Sequence, residues 1–112
     1  MNKIAGLFLS VFLAIMTLYW DPVTINADGS SPITDFGGYK LYCGPTSGNY
    51  SIIKDVGNVI EYPISNDLTD GTWHCSVTAY DSSSNESGYS SEMSFPLDRV
   101  APGAPTNLRL RF

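Results

Sequence analysis

Trp73-His74-Cys75-Ser76-Val77-Thr78-Ala79-Tyr80 sets four apolar positions two residues apart, with His, Ser, Thr and Tyr following them in turn. Two is the side-chain period of an extended strand, so Trp73, Cys75, Val77 and Ala79 are expected to face a core and the others to face out. The same period recurs on both sides of this stretch. Tyr39, Leu41 and Cys43 alternate with Lys40 and Tyr42, while Ile60, Tyr62 and Ile64 alternate with Glu61, Pro63 and Ser65. Met93 and Phe95 alternate with Glu92 and Ser94, and Met16, Leu18 and Trp20 with Thr17 and Tyr19 until Asp21-Pro22 ends the run. Turn clusters separate these runs at Asn26 to Ser30, Gly44 to Gly48, Thr69 to Gly71 and Asp81 to Gly88. Short strands between such turns, without a helical period, predict an all-β antiparallel sandwich.

The chain has 112 residues, 43% apolar and 15% charged, with ten Gly and seven Pro, a profile that excludes a coiled coil, a collagen, a disordered tail and a multi-domain enzyme. Met1-Asn2-Lys3 is a short positive segment, and only Gly6 and Ser10 interrupt the apolar run from Ile4 to Met16. That run has the length of an export signal and falls short of the ~20 residues of a spanning helix. Residues 1–15 are therefore expected to be a signal peptide or membrane anchor, and the protein to be secreted or held at the cell surface. Phe12 is bulky for the third position before a cut at Ala14, so cleavage and retention as an anchor both stay open. Residues 16–98 carry eleven Asp and Glu against Lys40 and Lys54, a balance of −9, whereas residues 99–112 carry three Arg and no acid, +3. An acidic body argues against binding a nucleic-acid backbone. Contact with a membrane is expected only through the N-terminal segment.

Several stretches together resemble a fibronectin type III domain of the bacterial secreted type. They are Leu18-Tyr19-Trp20-Asp21-Pro22, Gly38-Tyr39-Lys40-Leu41-Tyr42, Asp55-Val56-Gly57-Asn58-Val59 and Asp70-Gly71-Thr72-Trp73, continuing through Val77 to Ser82 and Asn85 to Ser90. The resemblance covers about residues 16–96 and implies an immunoglobulin-like antiparallel β-sandwich. Strands A, B and E would form one sheet and C′, C, F and G the other, with Trp20, Tyr39, Leu41, Tyr62, Trp73 and Val77 as the core signature. It implies that Pro63 lies in edge strand E, where a missing N–H does little harm. Trp73 stands where the family usually has a tyrosine, so its indole N–H is expected to replace the usual hydroxyl bond. If C and F pair with Tyr39 opposite Ala79, Cys43 falls opposite Cys75. The pair is then a disulfide in an oxidising compartment or, alternatively, two buried thiols.

No catalytic set emerges. His74 is the only histidine and reads as a solvated strand residue, and Ser82 to Ser84 as a polar turn. Asp21, Asp28 and Asp35 lack the dense ladder of a calcium loop, and no metal or other cofactor is expected. Tyr42, Tyr80 and Tyr89 form a candidate exposed patch for a protein or a sugar. Asn49-Tyr50-Ser51 and Asn85-Glu86-Ser87 match glycosylation acceptors. The expected role is a non-enzymatic module for adhesion, protein interaction or structural spacing. A carbohydrate-binding accessory module, taking polysaccharide, is the alternative.

The resemblance also implies a mismatch. Nothing like strand A precedes Trp20, whereas residues 99–112 resemble an inter-domain linker and the strand A of a following domain. Leu108, Leu110 and Phe112 alternate with Arg109 and Arg111. The tail is expected to donate this strand to the next copy or to its own domain, or to be the frayed end of a truncated multi-domain protein.

Overall fold

The computed structural model describes residues 15–30 and 33–112, so the expected export segment lies outside the described residues except for Ile15. The described chain forms β1 (Leu18–Tyr19), β2 (Phe36–Gly44), β3 (Ile52–Gly57), β4 (Glu61–Tyr62), β5 (Gly71–Asp81) and β6 (Met93–Leu97). All pairings are antiparallel. One sheet has the order β3-β2-β5-β6 and the other pairs β1 with β4, giving an all-β, sandwich-like fold.

The core lies between the sheets. Leu41 and Cys43 of β2, Trp73 and Cys75 of β5, and Phe95 and Leu97 of β6 pack with Ile64 and Leu68. In β2 and β6 these residues are two positions apart, as one strand face requires. Tyr39 opposes Ala79, and in the same register Cys43 opposes Cys75; the two sulfurs are joined in a disulfide with their Cα atoms 4.2 Å apart. Gly44 ends β2 where the Asn49 carbonyl oxygen would stand 2.0 Å from any added Cβ, so only glycine fits this turn. Trp73 keeps a local bond at the start of β5, its indole N–H donating to the Thr69 carbonyl at 2.7 Å.

The strand expected through Ile64 stops at Tyr62. Pro63, at φ −78° and ψ 85°, leaves the extended path, and Ile64–Asp67 forms a 3-10 turn that drives Ile64 into the core. Proline cannot donate to a ladder, so the pairing ends there rather than continuing along an edge. Ser76 and Thr78, expected to face solvent, are buried. The segment after β5 folds back alongside it: Ser87 and Ser90 N–H groups donate to the Ala79 and Val77 carbonyls, and their hydroxyls accept from the Ala79 and Val77 N–H groups. Serine side chains thus replace part of a backbone ladder beside β5, while the Ser90 carbonyl and the Glu86 carboxylate take the Ser76 and Thr78 hydroxyls. Of the core signature, Tyr39, Leu41 and Trp73 are buried, whereas Trp20, Tyr62 and Val77 remain half-buried.

Candidate functional site

Strand β2 projects Tyr42 onto the outer face of the four-stranded sheet, the turn after β2 brings up Tyr50, and the segment after β5 brings up Tyr89. Tyr89 meets Tyr42 at 5.0 Å between ring centroids and Tyr50 at 5.2 Å, both edge to face. Tyr80 stands apart from this trio. Its hydroxyl donates to Asp55 at 2.8 Å and its ring lies 5.6 Å from Lys40 Nζ, which also reaches Glu86 at 3.6 Å. The expected patch of Tyr42, Tyr80 and Tyr89 is therefore a ring trio including Tyr50, with Tyr80 linked to it through Lys40 and Glu86.

Two carboxylates bind this face together. Glu86 accepts from the Tyr42 hydroxyl and, at 2.7 Å, from Thr78 Oγ1. Glu92 accepts from Tyr50 Oη at 2.7 Å, Ser47 Oγ at 2.7 Å and the Gly48 N–H at 3.0 Å. The bond to Glu86 pushes the Tyr42 hydroxyl up to about 12, and the Glu92 bond raises Tyr50 as well. Glu92 in turn is lowered from 4.5 to about 2, chiefly by the Tyr50 hydroxyl, then by Ser47 and Gly48. Because its folded value is depressed, the stability Glu92 contributes is present above the ordinary carboxylate range and is lost as pH falls toward 2. A carboxyl NMR titration should give a Glu92 midpoint near 2, and Glu92→Gln should remove this share of the acid sensitivity. A midpoint near 4.5 would show that these bonds do not hold in solution.

His74 has partners that its sequence neighbours do not reveal. Pairing of β5 with β6 brings Ser94 Oγ to 2.6 Å and Glu92 Oε2 to 3.2 Å from its Nδ1. Both address the same ring nitrogen, whereas a Ser-His-acid relay needs the acid on one nitrogen and the nucleophile on the other. Asp28 is turned to Ser30, bonding its N–H and hydroxyl. Among the described residues no group of three or more His, Cys, Asp or Glu is placed to hold a metal.

The second feature is a groove along the side of the sandwich. Among the described residues the sheets do not close beside β1: a cleft of about 320 Å³ opens between Leu18, Trp20, Leu41, Cys75, Val77 and Met93. It adjoins a cleft of about 330 Å³ through Trp20 and Val77, which meets a third of about 390 Å³ through Val23 and Ala79. Trp20 Nε1 is buried without a hydrogen-bond partner among the described residues. The open side also explains why Trp20 and Val77 stay half-buried.

Comparison with family models, curated proteins and solved structures returns no match.

The strand-donor residues lie outside both features. Leu108 and Phe112 are fully exposed and Leu110 is 79% exposed, in a tail without strand pairing. Sequence reading missed Tyr50, which sits beyond a turn and in no alternating run. It missed Glu92 as a hub because a carboxylate's partners here come from residues 42 to 45 positions away.

Proposed function

We propose that the chain is an extracellular, non-catalytic module of the fibronectin type III kind, serving adhesion or spacing through protein contacts on its outer sheet face. The observation that carries this reading is the β3-β2-β5-β6 sheet set against β1-β4, with a disulfide linking its two central strands. This sheet order is the one the resemblance implies for C′, C, F and G, and a core disulfide suits an oxidising compartment. The tyrosine trio favours a protein contact over a sugar. Its rings meet edge to face, and the Tyr42 and Tyr50 hydroxyls are already held by Glu86 and Glu92. Amphipathic tyrosines of this kind are enriched where proteins meet.

Two measurements test the reading. Residues 1–30 fused to a reporter enzyme that is active only after oxidative folding should yield activity outside the cytoplasm; an inactive fusion removes the extracellular assignment. In pull-downs on insoluble polysaccharides the full chain should not be retained. Retention that Tyr42→Ala and Tyr89→Ala abolish would replace the protein-contact role with carbohydrate binding.

A further inference from the structure

We propose that the C-terminal segment Leu108-Arg109-Leu110-Arg111-Phe112 of one copy adds as a strand to the free edge of β1 in a second copy, filling the lateral groove and joining copies head to tail. The proposal stands on the open edge and the tail, independently of the adhesive role. Among the described residues strand β1 is paired on one side only, with β4. The Trp20 N–H donates to the Ile60 carbonyl across that pairing, so the backbone groups of Tyr19, one residue away, face the other side. An unpaired row of this kind is a template for another strand. The outer strand of the opposing sheet, β6, is a poorer template because Pro96 has no N–H to offer.

The groove beside that edge is apolar along Leu18, Trp20, Val77 and Met93, and its three clefts adjoin through shared walls at Trp20 and Val77 and at Val23 and Ala79. A carbonyl of an inserted strand would also give the buried Trp20 Nε1–H an acceptor. The tail matches these demands. Its apolar residues fall on one face of an extended chain with arginines on the other, and that apolar face is presented to water. The +3 tail meets a −9 body, and Asp21, Asp28, Asp81 and Glu86 line the groove toward its far mouth.

Strand direction selects the neighbour over the chain's own domain. The Met16 N–H donates to Ser65 Oγ at the end where Arg99 holds the Ser65 and Leu68 carbonyls, and the Val23 N–H donates to Tyr39 Oη farther along. Strand β1 thus runs away from the Arg99 end, and a strand antiparallel to it must run toward that end. The chain's own tail leaves from the Arg99 end, so it would first have to climb the sandwich. Residues 99–106 span at most about 28 Å, which leaves little for both the climb and the turn. A neighbouring copy delivers its tail from the far end, already in the antiparallel direction. Such a contact uses different surfaces on its two sides, so it does not close and propagates.

The test uses light scattering over a concentration series with three full-length forms. Wild type should grow in mass with concentration, without a limiting dimer. Tyr19→Pro removes an N–H from the free edge while sparing the β4 bonds, and Leu108→Asp/Leu110→Asp spoils the donor; each should be monomeric and folded by circular dichroism. Mixed together, the two variants should form a one-to-one pair and nothing longer, because one retains a donor and the other an edge. Wild type that stays monomeric at every concentration overturns the proposal, whether the groove is then filled by the chain's own tail or by residues 1–14. A closed dimer that both variants leave intact overturns it equally.

Discussion

Replacing Cys43 and Cys75 together by Ala is expected to lower the folding free energy by about 3–4 kcal/mol and the melting temperature by about 12–30 °C. The disulfide closes a loop of sequence separation 32, and the chain-entropy relation assigns a cross-link of that length about 3.7 kcal/mol. A body of this size has a total stability of only about 4–12 kcal/mol, so the bond supplies a large share of it. Both cysteines are buried at directly opposed positions of β2 and β5, the central strands of the larger sheet. Removing the link therefore frees the denatured chain while leaving most native contacts in place. The urea m-value should rise in the variant, because an uncross-linked denatured state exposes more surface. Urea and thermal unfolding of oxidised protein, reduced protein and the double variant check this. A loss below about 1 kcal/mol would mean that the reduced fold holds itself together and the bond is incidental.

Trp73→Ala is expected to cost about 3–5 kcal/mol, the range for emptying a buried aromatic site. Trp73 is 8% exposed and sits in the core with Leu41, Leu68, Phe95 and Leu97. Its N–H also ties the start of β5 to the Thr69 carbonyl. Trp73→Phe weighs the two contributions: it keeps an aromatic ring in the core but loses the bond and part of the indole volume, at an expected cost of about 1–2 kcal/mol. Equal losses for the two variants would show that the hydrogen bond, not the ring's volume, dominates.

The two substitutions probe regions of different legibility. Around Trp73 the fold could be read locally, because a strand between two sheets needs an apolar residue at every second position and a turn wherever the chain reverses. The opposition of Cys43 and Cys75 followed once β2 and β5 were paired in one register. At Pro63 local reading failed. Alternation continues through Ile64, but proline ends the ladder and the following turn buries Ile64 by another route. Ser76 and Thr78 misled for a different reason: a polar side chain is buried when something distant roofs it, here the serines and the Glu86 carboxylate of the returning segment.

The candidate surfaces were the least legible part. Tyrosines stand out in a composition, but which rings touch depends on where two turns bring them. The Glu92 hub gathers groups from the turn after β2 that no local pattern links to it.

The sequence by itself determined the strand character, the antiparallel class, the inward face of β2, the burial of Phe95 though not of Met93 in β6, and the amphipathic alternation of the tail. All of these depend on side chains a few residues apart. Tertiary structure alone decided that among the described residues β4 is the one strand beside β1, that the tail lies outside the sandwich, and that β1 runs away from the end from which the tail departs. Those facts concern edges and directions in space, set by how the two sheets face each other, and a period of two carries no information about either.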